Sequence, residues 1–137
     1  MDDIEAIKQL KARYCRMLDT KDFDGLRQVF TDDLVVDTTG SGGVVYTGAD
    51  TFMDFVTTHL APAVTVHQCH TPELTIASPT TATGIWAMED RLRFPDGAEI
   101  SGFGHYHETY EKVAAAWRIK TLRLTRLRQD FISASAG

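Results

Sequence analysis

The sequence predicts an α+β fold, a cone-like α+β barrel in which a strongly curved antiparallel sheet wraps around N-terminal helices. Two observations predict it. Before Pro62, apolar residues recur mainly at the three- and four-residue spacing of amphipathic helices. After Pro62 they alternate in long runs that are typical of antiparallel strands. With 137 residues and no linker or internal repeat, the chain is expected to form a single domain over residues 1–137.

The helical part comes first. A helix is predicted from Asp2 to Leu18, with acidic residues at its N-terminus and an apolar stripe that includes Tyr14. A second helical piece is predicted as far as Phe30. The runs LVVDTTG and GVVYTG, joined by the turn GSGG, are typical of a hairpin. A third helix follows, capped by Thr47 or Gly48, with Phe52 and Phe55 on its buried face.

Five strands are predicted after Pro62: VTVHQCH, ELTIAS, TATGIWAMEDRLRF, EISGFGHYHETYEKV and AWRIKTLRLTRLR. The segment FPDGAEI supplies a Pro-Asp-Gly turn between the third and the fourth. The tail SASAG is expected to fray. Such a curved sheet with helices across its concave side can enclose a pocket for a small molecule.

Composition excludes several classes of function. A net charge of −5 without any basic run argues against nucleic-acid binding. No apolar run approaches the roughly 18 residues that span a bilayer, so no membrane association is expected. Two cysteines are too few for a disulfide scaffold and no signal peptide precedes them, which predicts a reduced, cytoplasmic protein. Other enzyme signatures are set aside, because no Gly-rich phosphate loop follows a strand and neither G-x-S-x-G nor CxxC occurs.

The stretch GIWAMEDRLRF contains an unexpected carboxylate. Read as a strand, its apolar face carries Asp90 among Gly84, Trp86, Met88, Leu92 and Phe94. A buried carboxylate is costly unless it is paired, neutralised or used. Asp90 is therefore a candidate functional residue.

Three further polar residues are candidates for the same site: Tyr14 and Asp19 on or just after the first helix, and His67 on a strand. A histidine, two carboxylates and a tyrosine form a complete set for moving a proton. Each also has a structural alternative: Tyr14 as a core aromatic, Asp19 as a cap of the second helix and His67 as a structural histidine. Tyr14 and Asp19 are about 140° apart on an ideal helix, so they converge only if Asp19 lies where the helix ends or bends.

A metal site is the competing interpretation. His105, His107 and Glu111 share one strand parity in GHYHETYE and, with His67 or His70, could hold a first-row cation. The alternative is that this face meets water or a partner subunit. The H-x-H-x3-E spacing is also half of the cupin signature, but the downstream glycine and the second motif, P-x-G…H, are missing. Because three helical segments also precede the strands, we expect no metal. The basic residues of the last strand are expected on a solvated sheet face, or else in contact with a polar substrate: Arg118, Lys120, Arg123, Arg126 and Arg128.

The order of elements and several motifs resemble the SnoaL-like branch of the NTF2-like superfamily, which includes scytalone dehydratase, bile-acid 7α-dehydratase, hexachlorocyclohexane dehydrochlorinase and ketosteroid isomerase. The motifs are IKQLKARYCRMLDTKDFDGLRQVFTDDLVVD, YTGADTFMDFV, TVHQCHTPELTI, TATGIWAMED and GHYHETYEKV…WRI. They cover nearly the whole chain. One departure is the final turn, where relatives carry D-G-x-W and this chain has VAAAW.

The resemblance implies residue roles. It implies that His67 is the catalytic base, that Asp19 is its partner, and that Tyr14 and Asp90 position or protonate the departing group. It also implies an arginine contributed by Arg126 or Arg128. We expect the apolar body of the substrate to be buried in a pocket lined by Trp86, Met88, Phe52, Phe55 and Phe103.

The implied activity is that of a cofactor-independent dehydratase-type lyase acting on a small, largely apolar cyclic or polyketide-like molecule. An isomerase and a non-catalytic ligand-binding or assembly module of the same fold are the alternatives. The superfamily also suggests a homodimer or homotrimer that associates through the outer face of the sheet.

Overall fold

Three α-helices and six strands make up the part of the chain that the computed structural model describes, residues 1–134. Most of the tail whose fraying is predicted lies outside this range. The helices are α1 (Asp3–Asp19), α2 (Phe23–Arg27) and α3 (Ala49–Phe55), which a π-helical turn continues over Val56–Leu60. The strands are β1 (Phe30–Asp37), β2 (Val45–Thr47), β3 (Val64–Ser78), β4 (Thr81–Arg93), β5 (Glu99–Val113) and β6 (Ala116–Ile132). No helix in the described range is long and apolar enough to cross a membrane.

The strands form one curved sheet in the order β2-β1-β6-β5-β4-β3, and the predicted α+β class is confirmed. The sheet is not closed, since β2 and β3 are its edges. The expectation of a purely antiparallel sheet is wrong for one pair, because β1 and β6 run parallel. The long connection between them, which contains β2, α3 and strands β3 to β5, returns the chain beside β1 in the same direction.

Two predicted boundaries differ from the structure. The runs VTVHQCH and ELTIAS form a single strand, β3, with an irregularity in its pairing to β4 between His70 and Glu73. Thr71 lies in this irregularity with a φ of 40°, which explains why the sequence pattern breaks there. Phe30 starts β1 and pairs with Ile119 instead of ending the second helix.

The core lies between the helices and the inner face of the sheet. Along β4 and β5, buried and more exposed side chains alternate, so every second residue faces α1 and α3. Phe30 joins the helices to the sheet, because its ring packs edge-on against Tyr14 at 6.1 Å and Phe52 at 5.6 Å between ring centroids.

A buried ion pair fixes α1 on β5. Lys11 Nζ lies 2.7 Å from Glu108 Oε2, and the two residues are only 1% and 3% exposed. The hydroxyl of Tyr110 donates to Glu108 Oε1 at 2.6 Å, and Nε1 of Trp86 donates to that hydroxyl at 2.9 Å. The Glu108 carboxylate is therefore satisfied on both oxygens, as a charge in such a site must be.

The turn between β5 and β6 is strained. Ala114 and Ala115 both have positive φ, 49° and 67°, and connect the paired residues Val113 and Ala116. A two-residue turn with two left-handed residues favours Asn-Gly, because an alanine Cβ is disfavoured in this conformation. The hairpin at VAAAW is therefore a tight turn whose two central alanines adopt a backbone conformation that is unfavourable for them.

Replacing Ala114→Asn together with Ala115→Gly should raise the free energy of unfolding by about 1 kcal/mol, because both new residues tolerate positive φ. Urea unfolding followed by circular dichroism measures this change. Gly97 in the β4–β5 turn is the reciprocal control, since its φ is 90° and Gly97→Ala should destabilise the protein. An unchanged stability of the double variant would contradict the assignment of strain.

Lys11→Met should lower the free energy of unfolding by about 3–5 kcal/mol, because it leaves the Glu108 carboxylate buried without its cation. The double variant Lys11→Met/Glu108→Gln should regain much of that loss, since it removes both charges. Urea unfolding of the single and double variants completes the cycle. Lys120→Met, which breaks a partly exposed pair with Asp33, is the control and should cost at most about 1 kcal/mol.

Candidate active site

A cavity of about 430 Å³ lies between the helices and the inner face of the sheet. Its volume falls in the range of small-molecule sites. Most of the side chains around it are apolar, and a charged group of His67, Asp90 and Arg126 marks what we call its polar end. The lining residues that the argument uses are Tyr14, His67, Asp90, Tyr106, Arg126 and the aromatic group around Phe52.

At the polar end, His67 and Asp19 form a tight pair. Nδ1 of His67 lies 2.7 Å from Oδ1 of Asp19, and Oδ2 of Asp19 accepts the backbone N–H of His67 at 2.7 Å. The hydroxyl of Thr65 also donates to Oδ1, at 2.9 Å. An ionised carboxylate can only accept, so Nδ1 carries a proton, and in the neutral tautomer with this proton Nε2 is the acceptor. His67 is 9% exposed and lines the cavity.

Tyr14 and Asp19 meet this site in different ways. Asp19 is the last residue of α1, where its carboxylate reaches across to β3 instead of facing the cavity. Tyr14, within the helix, lines the cavity itself. Tyr14 and Asp19 therefore do not converge directly, and Asp19 acts on the cavity through His67. Burial raises the pKa of Tyr14 well above its ordinary value, so its hydroxyl stays protonated and can donate.

Asp90, the unexpected carboxylate of β4, is paired with Arg126 of β6. Nη1 of Arg126 donates to Oδ1 at 2.6 Å and Nη2 donates to Oδ2 at 3.0 Å, a bidentate arrangement. Both side chains are largely buried and line the cavity. Asp90 is thus neither solvated nor unpaired. Of the two candidate arginines, Arg126 faces the cavity, whereas Arg128 is exposed and bonds Asp130.

A glycine on the intervening strand makes this pair possible. The Arg126 guanidinium crosses β5 at Gly102, which pairs with Asp90 on β4. A Cβ at Gly102 would collide with the guanidinium and with the Asp90 carboxylate. Gly102, the first glycine of SGFG, is therefore required by the site and not by a turn.

The apolar end of the cavity is aromatic. Phe52 and Phe55 line it, as predicted, together with Tyr46 and His59. The rings of Tyr46 and Phe55 lie 4.7 Å apart between centroids, and Phe55 lies 5.3 Å from His59. These side chains come from β2, α3 and the π-helical turn, so the helical segment forms one side of the cavity.

Three predicted pocket residues lie elsewhere. The placement of Phe103 in the pocket is wrong, because it faces outward on β5 opposite Glu89. Trp86 and Met88 are buried on the inner face but do not line the cavity, among the residues described. Trp86 donates to Tyr110 in the core, and the sulfur of Met88 contacts Nη1 of Arg126 at 3.8 Å. Met88 thus contacts the Arg126 guanidinium without lining the cavity.

The histidines of GHYHETYE face away from the cavity. His105 and His107 lie on the outer face with ring centroids 6.3 Å apart, and His107 Nε2 contacts the Thr125 hydroxyl at 3.1 Å. Glu111 pairs with Lys120 at 3.3 Å. Within residues 1–134, no three His, Cys, Asp or Glu side chains come close enough to hold a metal ion.

Sequence reasoning missed three residues that line the cavity: Tyr106, Ser41 and Gln129. Tyr106 lines the cavity and packs edge-on against Tyr14 at 5.9 Å between centroids. Ser41 accepts hydrogen bonds from Nε of Arg126 at 3.1 Å and from Gln129 at 3.2 Å. Strand parity could have identified Tyr106, which alternates with the two histidines. Ser41 lies in GSGG, which was interpreted only as a turn.

The chain belongs to the SnoaL-like domain family, whose model matches residues 1–123. This confirms the resemblance inferred from the motifs. A relative from Gibberella zeae, named "Probable cyclase FGR4", is 27% identical over 93% of each chain.

Solved structures share the fold. The hexachlorocyclohexane dehydrochlorinase LinA-type3 from Novosphingobium barchaimii is 18% identical over 94% of this chain and 89% of its own, with a TM-score of 0.81. A scytalone dehydratase-like protein from Novosphingobium aromaticivorans is 20% identical over 98% and 90%, with a TM-score of 0.86. At these identities the similarity concerns the fold alone.

Gly102→Ala should displace the Arg126 guanidinium from Asp90 and lower the free energy of unfolding by about 1–3 kcal/mol, because the new methyl group has no space. A crystal structure of the variant and its urea unfolding curve measure both effects. Ser101→Ala, one residue earlier on the outer face, is the matched control and should change stability by no more than about 0.5 kcal/mol. An intact Asp90–Arg126 pair in the variant would show that the glycine is not required.

Proposed function

We propose that the protein is a cofactor-independent lyase of the dehydratase type, acting on a small, largely apolar cyclic or polyketide-like molecule. The observation that carries the proposal is the Asp19–His67 pair at the polar end of an apolar cavity. A family with cyclase- and dehydratase-type relatives and neighbours supports the same class of reaction.

His67 is the proposed general base. Asp19 holds Nδ1–H and so directs the basic Nε2 toward the cavity. Nε2 removes a proton from a carbon next to a carbonyl group of the substrate, and the electrons of that C–H bond form the new double bond. Asp19 stabilises the imidazolium that results, because its carboxylate lies 2.7 Å from the ring.

Tyr14 and Arg126 are the proposed partners of the departing oxygen. Tyr14 keeps its proton and donates a hydrogen bond to the oxygen as the C–O bond breaks. Asp90 acts by orienting Arg126, since both of its oxygens accept from the guanidinium. The imidazolium returns its proton to the departing hydroxide, so water leaves and neutral His67 is restored.

The cavity suggests the substrate class. About 430 Å³ accommodates a molecule of a few fused or linked rings, and the aromatic side chains around Phe52 and Phe55 would contact its apolar body. His67, Asp90 and Arg126 line the cavity beside one another, so one carbonyl and one neighbouring hydroxyl would be recognised there. This pattern fits cyclic β-hydroxy ketones.

A panel of cyclic β-hydroxy ketones tests the proposal by mass spectrometry, which detects the loss of one water. With a confirmed substrate, His67→Ala and Asp19→Asn should each reduce kcat by at least about 100-fold, because they remove the base or its tautomer control. Tyr14→Phe should reduce kcat by a similar factor. His70→Ala, on the same strand but outside the site, is the control and should leave kcat unchanged.

Three results would contradict the proposal. Turnover that survives His67→Ala would exclude this base. A product that has the mass of the substrate in ordinary water, and that incorporates deuterium when the reaction runs in heavy water, would indicate an isomerase with the same base. A compound that binds without any conversion, with an affinity that His67→Ala and Asp19→Asn change only a few-fold, would indicate a ligand-binding module.

A further inference from the structure

The two cysteines of the chain meet between α1 and β3. Sγ of Cys15 lies 3.6 Å from Sγ of Cys69, although 54 residues separate them in sequence. Both are free thiols, and both residues are partly buried where they pack against the core. The reaction proposed above uses neither residue.

The pair is part of an ordered set of contacts along α1. Lys11, Cys15 and Asp19 recur every four residues on one helical face, and each contacts a different residue of the sheet. Cys69 and His67 lie two residues apart on β3, so their side chains project from the same side of the strand. The Asp19–His67 contact lies one helical turn after Cys15 and therefore helps to keep the two thiols opposite each other.

The two thiols differ in acidity. The hydrogen bond from Cys69 lowers the pKa of Cys15 from its ordinary value, and the Lys11 ammonium acts in the same direction. The same hydrogen bond, together with burial, raises the pKa of Cys69. A thiolate is the reactive form of cysteine, so Cys15 is the better nucleophile and Cys69 keeps its proton.

We propose that Cys15 and Cys69 are a redox-active dithiol that a peroxide converts to an intramolecular disulfide. The Cys15 thiolate attacks the peroxide, an S–O bond forms, the O–O bond breaks and an alcohol or water leaves, giving a sulfenic acid. The Cys69 sulfur then attacks the Cys15 sulfur, the S–S bond forms, the S–O bond breaks, and the hydroxide leaves as water with the Cys69 proton. The thiols lose two electrons and the peroxide gains them.

Little movement is needed for the second step. The sulfurs must approach by about 1.5 Å to reach the length of an S–S bond. The disulfide would join the helix to the strand across a long loop, which restricts the unfolded chain. We therefore expect the oxidised protein to have a Tm about 5 °C or more above that of the reduced protein. This inference is independent of the proposed lyase reaction.

The experiment uses the full chain, reduced and then treated with a small excess of hydrogen peroxide. Intact mass should fall by two hydrogens, both thiols should disappear from a thiol titration under denaturing conditions, and dithiothreitol should restore them. Peptide mapping of the wild-type protein should find Cys15 linked to Cys69, which requires no variant to fold. Free N-acetylcysteine in the same solution calibrates the oxidant.

Matched variants separate the two steps. In Cys69→Ser the sulfenic acid on Cys15 has no thiol to react with, so dimedone should trap it. In Cys15→Ser less trapped product should form, because Cys69 is the weaker nucleophile. Disulfide-linked dimers, added oxygens without a link, or thiols that persist after N-acetylcysteine is consumed would each overturn the proposal.

Discussion

The carboxylate of Asp19 is the contact on which the candidate site depends. It accepts hydrogen bonds from the ring and the backbone of His67 and from the hydroxyl of Thr65, all on β3. The end of α1 is thereby fixed against the edge strand of the sheet. Tyr14, earlier on the same helix, is held at the cavity as a result. The distance between the helix and the strand is set by hydrogen bonds, which have narrower geometry than apolar packing.

The inner face of the sheet holds its charges in pairs. Lys11 pairs with Glu108 and Arg126 pairs with Asp90, and each carboxylate uses both oxygens. The Lys11 ammonium also lies over the rings of Tyr14 and Tyr106, at 3.7 and 3.9 Å from their centroids. It thus contributes a cation–π interaction to the residues that border the cavity. The two pairs differ in environment, since only Arg126 and Asp90 line the cavity.

Much of the fold and part of the site could be predicted from the sequence, and the limits have physical causes. Alternation along β4 identified Asp90 correctly as an inner-face residue because β4 pairs regularly with β5. On β6 the same reasoning fails, since the irregularity opposite Thr109–Tyr110 shifts the parity before Arg126 is reached. Counting by twos from Trp117 would place Arg126 outside, whereas it faces the cavity. Phe103 shares the outward parity of His105 and His107 on β5, so parity alone would have excluded it from the pocket.

Asp19 also contradicts a local rule of helix design. Acidic residues favour the N-terminus of a helix, where Asp2, Asp3 and Glu5 lie, and they are unfavourable at the C-terminus, where the macrodipole is negative. A carboxylate at the last residue of α1 destabilises the isolated helix and is compensated only when β3 supplies its donors. Positions where local preference and tertiary structure disagree are typical of functional sites. The same contact that compensates the helix end also fixes the proton on Nδ1 of His67, so the stability of α1 and the tautomer of the ring depend on one carboxylate.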